Sequence, residues 1–401
     1  MKKGWEYKKI DDISKIVGRI GFRGYTKNDL VSRPELGAIT LSPSNIVNGE
    51  LSFEKSSYIS MMKYEESPEI MLAKGDVVLV KTASIGKCAI VRDLPHKATL
   101  NPQFVVFKEI VINNEFFAYY IKSPIFQKKL KTIVGGVAIP TLSQKKLGQL
   151  DVYYPSSLAE QRRIVSYLDS SFDLIDKIKD NASKSLSEAK ALFQSALAEA
   201  MEPKEGWEEK TLGEIATDMY RGSGIKRDQI SQIGFPCVRY GEIYTTYNYS
   251  FNECVSHTNE SLINPKKYFD KGDILFAITG ESVEDIGKCI AYTGKERCLC
   301  GGDIVVMKHN QYPQFLAYAL STKEAIRQKG LGKVKLKVVH TNVPALKSIK
   351  IYLPTDIKTQ KQIVSRLDSL SSKVRAIEEK YHKMIAECDA LKQAMLREVF
   401  E

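Results

Sequence analysis

Basic side chains gather in glycine-containing, loop-like stretches of this chain. Lysine and arginine in such loops neutralise phosphate groups, and binding of this kind depends strongly on salt. The basic candidates are Arg19, Arg23, Lys27, Arg33, Lys81, Lys87, Arg221, Lys226, Arg227, Lys288, Lys333, Lys335 and Lys337. The last three alternate along a strand-like stretch, which predicts that they share one face.

Polar side chains in neighbouring loops are of the types that hydrogen-bond to the edges of bases. They are Asn101, Gln103, Ser143, Gln144, Arg239, His340 and Asn342. Any one of them is more typical of a solvated surface residue. The clusters, rather than the individual residues, predict a surface for a polyanion such as DNA.

Motifs for catalysis are incomplete. Gly86-Lys87-Cys88 and Gly287-Lys288-Cys289 lack the spacing and the following Ser or Thr of a phosphate-binding P-loop, and are better interpreted as tight turns. Asn101-Pro102-Gln103-Phe104 departs from the Asn-Pro-Pro-Phe motif of amino-methyltransferases, and no glycine-rich cofactor motif precedes it. Seven cysteines without a CxxC pair, and five histidines without metal spacing, favour neither disulfides nor a metal site.

Charge and composition narrow the class of protein. Lysine and arginine number 59 against 48 acidic residues, a net charge of +11. Residues 1–155 carry +8 and residues 204–354 carry +4, whereas residues 156–203 and 355–401 are close to neutral. The excess favours a polyanionic partner, although a merely basic enzyme has the same balance. No stretch is apolar enough for a membrane span and no signal peptide is evident, so we expect a cytoplasmic protein.

The chain is two copies of one unit. Gly4-Trp5-Glu6 recurs as Gly206-Trp207-Glu208, which contains the only other tryptophan. Further matches follow in the same order at a nearly constant offset. They pair Lys74-Gly75-Asp76 with Lys271-Gly272-Asp273, Ile85–Cys88 with Ile286–Cys289, Tyr153–Pro155 with Tyr352–Pro354, and Leu168–Ser170 with Leu367–Ser369. Such ordered self-similarity indicates an internal repeat.

Each copy begins with a globule of mixed strands and short helices. The predicted strands are 76–80, 88–91, 104–107, 273–278, 289–292 and 304–307, and the predicted helices are 116–122 and 315–320. The pattern does not distinguish parallel from antiparallel pairing. We name residues 1–155 the first globule and residues 204–354 the second globule.

Each globule is followed by one long helix, over residues 156–203 and 355–401. Ser157, and Thr355 or Asp356, are candidate N-caps. Apolar residues follow heptad spacing, with Leu168, Ile175, Ile178 and Leu192 in the first helix and Leu367, Leu370, Val374, Ile377, Met384 and Leu391 in the second. A hairpin inside one globule is the alternative, but we expect the two helices to pack on each other. The predicted fold class is therefore α+β, with two mixed α/β globules separated by two helices in an antiparallel coiled coil.

Together these features resemble the specificity (S) subunit of type I restriction–modification systems, over essentially the whole chain. The residues that carry the resemblance are Pro155, Gln161, Ile164, Val165 and Leu168, and again Pro354, Gln360, Ile363, Val364 and Leu367. The resemblance implies that each globule is a target-recognition domain for one half of a split double-stranded DNA site. It also implies that the helices set the gap and bind methyltransferase subunits.

By the same resemblance the chain does no chemistry and binds no cofactor. S-adenosylmethionine is expected on a DNA adenine methyltransferase (M) subunit, and ATP with Mg²⁺ on a restriction/translocase (R) subunit. Two alternatives stay open: the recognition part of a restriction enzyme with its own catalysis, and a coiled-coil adaptor that never touches DNA.

Overall fold

The computed structural model describes residues 2–19, 21–136, 139–280, 282–283, 285–331 and 339–401. The chain forms two compact units. The first contains residues 1–183 and 382–401, and the second contains residues 184–381. Each unit therefore consists of one globule and a stretch of both long helices.

The first globule is built on two four-stranded sheets. In one, the strand order is Lys15–Val17, Phe104–Lys108, Val77–Val80 and Cys88–Ile90, and all neighbours are antiparallel. In the other, the order is Ala98–Leu100, Gly37–Leu41, Ser57–Ser60 and Leu30–Val31, and only the first pair is parallel. The first globule also contains short two-stranded ladders that pair Ile46–Val47 with Glu50–Leu51 and Val134–Gly135 with Thr141–Leu142.

The first globule opens and closes on one antiparallel ladder, in which Trp5–Lys9 pairs with Asp151–Pro155. Its helices are Ile10–Ile13, Met61–Glu65, Asn114–Lys122, Pro124–Thr132 and Gln144–Gly148. Trp5 packs on Phe116 and Tyr153, with ring centroids 6.0 and 4.7 Å away. The terminal ladder is thereby fixed to the main core, because aromatic burial dominates such packing.

The second globule repeats this plan with two five-stranded sheets. In one sheet the strand order is Ala216–Arg221, Ile304–His309, Ile274–Ala277, Cys289–Tyr292 and Ser250–Phe251. In the other sheet the order is Ile230–Ser231, Ser256–Thr258, Phe235–Val238, Cys298–Cys300 and Tyr268–Phe269. Trp207–Thr211 pairs with Lys350–Pro354, and Thr279–Gly280 pairs with Val339–His340. The helices are Leu212–Ile215, Tyr240–Thr245, Pro313–Ala319, Lys323–Gly330 and Val343–Lys347. The predicted strands and short helices are confirmed in both globules, with ends that differ by no more than two residues.

Two long helices follow the globules, over Leu158–Ala200 and Ile357–Phe400. Asp356 caps the second one, because its carboxylate accepts hydrogen bonds from the backbone N–H groups of Lys358 and Thr359 at 3.0 and 2.9 Å. None of the helices in the described part of the chain is long and apolar enough to cross a membrane.

The two long helices pack on each other and run antiparallel. In the first unit, Lys179 pairs with Asp389 and Asp176 pairs with Lys392. The residue numbers therefore rise along one helix in the direction in which they fall along the other. In the second unit, Lys190 lies 3.7 Å from Glu378. This confirms the predicted antiparallel pair.

The predicted seam is half correct. Leu168, Ile175, Leu367 and Val374 are buried, and Leu370 and Met384 are half-buried. Ile178, Leu192, Ile377 and Leu391 were predicted in the same seam but are 48%, 62%, 38% and 51% exposed.

The reason for this difference is the position of the globules. In the first unit, Phe172 packs on Tyr119 with ring centroids 5.6 Å apart. In the second unit, Phe193 packs on Tyr249 at 5.6 Å. Each globule thus covers the flank that carries the phenylalanines, and the opposite flank of the helix pair stays uncovered.

Candidate nucleic-acid interface

A buried glutamine joins each long helix to its globule. The Gln161 side chain is 1% exposed, accepts from the backbone N–H of Asn113 at 2.7 Å and donates to the carbonyl of Pro155 at 2.7 Å. Gln360 makes the same two bonds, to Tyr312 at 3.0 Å and Pro354 at 2.9 Å. The repeated Pro and Gln of the sequence signature are thus one structural joint, which fixes where the helix leaves the globule.

A second repeated motif holds the central sheet of each globule. Asp76 pairs with Lys108 at 2.5 Å, and Asp273 pairs with Lys308 at 2.9 Å. Burial raises the pKa of the Asp273 carboxyl, while hydrogen bonds from Asp270 and Lys308 oppose that shift. The Lys-Gly-Asp motif therefore has a structural role.

Several predicted residues of the first globule meet at one edge of its sheet. The Lys81 N–H donates to the Gln103 carbonyl at 2.7 Å, and the Leu142 N–H donates to the Lys81 carbonyl at 2.8 Å. A Cβ at Gly18 would lie 2.8 Å from the Gln144 side-chain amide, so Gln144 lies against this backbone. Lys81, Gln103 and Gln144 therefore share one surface, which we name the first reading edge.

The second globule contains the equivalent surface. The Ile278 N–H donates to the Asp303 carbonyl at 3.0 Å, and the Thr341 N–H donates to the Ile278 carbonyl at 3.0 Å. The Thr279 hydroxyl lies 3.1 Å from Nδ1 of His340. We name this surface the second reading edge; it also contains Arg221, which binds Asp303.

Ser143 and Asn342 occupy equivalent positions beside the two edges. Each begins a short helix by accepting a backbone N–H, from Lys146 at 3.4 Å and from Ala345 at 3.0 Å. Both side chains are exposed, but the side-chain oxygen of each already accepts the hydrogen bond that caps its helix. Their capping bonds fix the loops that bring Gln144 and His340 to the edges.

Two predicted DNA contacts are corrected by burial. Arg19 is 5% exposed, and its guanidinium donates to the carbonyls of Leu100 and Arg23 at 2.9 and 3.2 Å. Burial lowers the pKa of this guanidinium. Asn101 is 7% exposed and bonds through both side-chain atoms to Gln103. Arg19 therefore supports the loop, and Asn101 orients Gln103 instead of reaching a ligand.

Three lysines predicted to contact DNA differ in how far their side chains are exposed. Lys87 is exposed, in a turn after Gly86. Lys81 and Lys288 are half-buried, and burial lowers the pKa of both ammonium groups. Lys288 lies off the second reading edge and donates to the carbonyl of Tyr244 at 3.3 Å.

The other predicted basic residues that the structure describes are exposed in turns and loops or are paired with acidic side chains. Lys27 and Arg227 are exposed in equivalent 3-10 turns, with Lys226 just before the second of these turns. Arg33 is exposed on the loop before Gly37, and Arg23 pairs with Glu69 at 3.6 Å. Arg239 pairs with the buried Glu242 at 3.4 Å. Lys333, Lys335 and Lys337 lie outside the described residues.

Asp303 is the residue that the sequence reasoning missed. It occupies the place of Gln103, since both carbonyls accept the N–H of the residue that follows the central strand. The internal repeat in the sequence indicates this equivalence, because aligning the two halves puts Gly301-Gly302-Asp303 opposite Asn101-Pro102-Gln103. Within the described part of the chain, no group of three or more His, Cys, Asp or Glu side chains could hold a metal ion.

Comparison with known proteins identifies the repeated unit. A family model described as the type I restriction modification DNA specificity domain matches residues 2–186 and again residues 204–385. The chain is 22% identical over 443 residues to the type I restriction enzyme EcoKI specificity subunit of Escherichia coli K12, covering 100% of this chain and 89% of that protein. It is 26% identical over 306 residues to the MjaIX specificity subunit of Methanocaldococcus jannaschii, covering 71% and 68%.

Solved structures share the fold. A chain from a study of complex assembly and conformational transition of the type I R-M system matches with a TM-score of 0.73 at 20% identity, over 100% of this chain and 98% of that one. The HsdS subunit from Thermoanaerobacter tengcongensis matches with a TM-score of 0.51 at 18% identity, over 100% and 97%. With both halves matched by the family model, the chain belongs to the specificity subunits of type I restriction–modification systems, whose role is specificity and not catalysis.

Proposed function

We propose that each globule reads one half of a bipartite DNA site through its reading edge, and that the helix pair sets the gap between the halves. The observation that carries this proposal is the repeated edge. Backbone bonds of one pattern hold Gln103 in the first globule and Asp303 in the second, so one scaffold presents two different sets of side chains. Different polar side chains at one position select different bases.

The experiment is the adenine methylome of cells with and without this gene, in the presence of the partner methyltransferase. Loss of methylation at a two-part motif with an unread gap is the expected result. An unchanged methylome beside an active methyltransferase would refute the proposal and favour the adaptor. Inserting one heptad into each helix should change the gap and leave both half-sites intact, because the insertion alters the length of the helices and leaves the globules unchanged.

We further propose that the uncovered flank of the helix pair binds DNA adenine methyltransferase subunits. In the first unit, Ile178 and Leu391 are 48% and 51% exposed, and in the second unit Leu192 and Ile377 are 62% and 38% exposed. The ion pairs between the helices lie on the other flank: Lys392, which pairs with Asp176, lies 5.1 Å from the ring of Phe172, and Phe172 packs on the first globule. Exposed apolar side chains on one face are typical of the apolar centre of a protein interface. The occurrence of this apolar centre in both units favours one methyltransferase copy on each.

Introducing a charge at this apolar centre tests the docking surface. Ile178→Asp with Leu192→Asp should reduce methyltransferase binding at least tenfold, because a buried apolar contact is replaced by a desolvated carboxylate. Ser187→Asp, at an exposed position of the same helix, is the matched control. Equal binding by both variants, measured by co-purification and by titration, would refute the surface.

We assign the chemistry and its cofactors to the partners. S-adenosylmethionine belongs on the methyltransferase, and ATP with Mg²⁺ on a restriction/translocase subunit, because the sequence of this chain contains no complete motif for either. A complex that acts on chromosomal DNA belongs in the cytoplasm. Purified alone, the chain should neither methylate nor cleave DNA; activity in the absence of both partners would favour the fused-enzyme alternative.

A further inference from the structure

Arg221 and Asp303 form an exposed donor–acceptor couple at the second reading edge. Arg221 ends the strand Ala216–Arg221, and Asp303 immediately precedes the neighbouring strand Ile304–His309. The guanidinium donates through Nε to the carbonyl of Gly302, and through Nη2 to Oδ1 of Asp303 at 2.9 Å. The two side chains are 62% and 40% exposed.

Two glycines allow the backbone segments that carry Arg221 and Asp303 to lie close to each other. A Cβ at Gly222 would lie 2.3 Å from the carbonyl oxygen of Gly301, and one at Gly302 would lie 3.2 Å from that of Ser223. Ser223 is buried and is tied to Cys300 and to Lys267 by hydrogen bonds of 2.7 Å each. The two side chains are therefore carried by backbone segments that pack closely on each other, which fixes their position.

Part of the hydrogen-bonding capacity of the couple is unused. A guanidinium has five N–H donors, of which two are engaged here, and a carboxylate has two oxygens. Oδ2 of Asp303 has no bonded partner among the described residues. Exposed ion pairs of this kind contribute little to stability, so this pair can exchange its internal hydrogen bonds for bonds to a ligand at low cost.

We infer that Arg221 and Asp303 read a guanine–cytosine pair in the half-site of the second globule, an inference that rests on the proposed function. In the major groove, guanine presents two acceptors, N7 and O6, and cytosine presents the N4 amino donor. Arginine donors and a carboxylate acceptor held side by side complement that pattern. An A·T pair in the same orientation keeps the purine N7, but its thymine O4 acceptor faces the carboxylate and is disfavoured.

The first reading edge lacks this couple. Val17 pairs with Val106 in the way that Tyr220 pairs with Val306, so the next residue, Gly18, takes the position of Arg221 and has no side chain to donate a hydrogen bond. Gln103 stands in the place of Asp303, and its Oε1 accepts from Asn101 at 3.0 Å. The G·C preference should therefore be confined to the half-site of the second globule.

The test is the methylome of cells in which the intact complex carries Asp303→Asn or Arg221→Gln. Asparagine can accept from cytosine or donate to thymine, so Asp303→Asn should admit A·T at one G·C position of one half-site. Arg221→Gln should weaken the guanine preference there by about tenfold to a hundredfold, the range of one bidentate contact. Arg297→Gln is the matched control, because Arg297 pairs with Asp270 at the same 2.9 Å with 61% and 39% exposure.

The outcomes separate this inference from the proposed function. A bipartite wild-type motif that stays unchanged in both variants, or that lacks a G·C pair in both halves, would refute the reading role of Arg221 and Asp303 but leave the proposed function intact. Absence of any bipartite motif would overturn the proposed function itself. Co-purification and thermal unfolding of each variant separate a changed motif from a misfolded globule, and an equal change in Arg297→Gln would also refute the couple.

Discussion

The glutamine joint between globule and helix gives a quantitative prediction for Gln161→Leu. This substitution leaves the Asn113 N–H and the Pro155 carbonyl without their partner, in a place where the side chain is 1% exposed. Each orphaned group costs about 1–3 kcal/mol, and the buried leucine offsets part of that cost. We expect a net loss of about 3 kcal/mol. For a unit of this size that lowers Tm by roughly 6–12 °C.

The two tryptophans make the assay specific to one unit. Trp5 lies in the first unit and Trp207 in the second, each packed against a phenylalanine. Gln161→Leu is therefore introduced into Trp207→Phe, and thermal unfolding is followed by the fluorescence of Trp5. The converse experiment places Gln360→Leu in a Trp5→Phe background.

The control lies two residues further along the same helix. Arg163 pairs with Glu160 at 2.7 Å while 72% exposed, so Arg163→Leu should lower Tm by less than about 2 °C. A Gln161→Leu shift no larger than that of the control would refute the joint. The joint would also be refuted if Gln161→Leu shifted the Trp207 transition in a Trp5→Phe background but left the Trp5 transition unchanged in the Trp207→Phe background.

Two further substitutions probe the glycine surface and the central sheet. Gly222→Ala places a Cβ 2.3 Å from a backbone oxygen and should destabilise the second unit by about 1–3 kcal/mol, measured by urea unfolding, whereas Gly224→Ala meets open space and should not. Asp76→Asn leaves Lys108 without its charged partner at 18% side-chain exposure, and should cost about 3–5 kcal/mol in the same measurement. Equal stability of the two alanine variants, or a negligible loss in Asp76→Asn, would contradict these assignments.

The repeat in the sequence was enough to predict the architecture, because apolar runs and helix periodicity follow the same physics in both copies. Heptad spacing predicted which helices pack, but not which flank of each helix is covered. Ile178 and Leu192 fit the heptad pattern yet are exposed, since the aromatic rings of the globules lie on the other side. That flank depends on contacts between residues far apart in the chain, which local periodicity does not encode.

The sequence indicates which residue types could form the candidate site, but not which of these side chains are exposed. Sequence alone marked Arg19 as a phosphate contact and Asn101 as a base-reading residue, because both are of suitable type and lie in loop-like stretches. Their burial, and their bonds to Leu100 and Gln103, make them supports. Asp303 was missed because a single carboxylate in a basic globule looks like a surface residue. Alignment of the two halves places it opposite Gln103, and the equivalent backbone hydrogen bonds of the two globules support that placement.

Whether a residue type is the same in both halves of the chain depends on whether its side chain or its backbone makes the structural hydrogen bonds. Gln161 and Gln360 bond through their side chains, so the residue type must be kept. At the reading edges, Gln103 and Asp303 are held through backbone carbonyls, and a backbone bond does not depend on the side chain. The fold therefore constrains the joints and leaves the reading edges free to vary. A repeat organised in this way can change the chemistry of one edge without altering the scaffold that presents it, which is what two independently varying half-sites require.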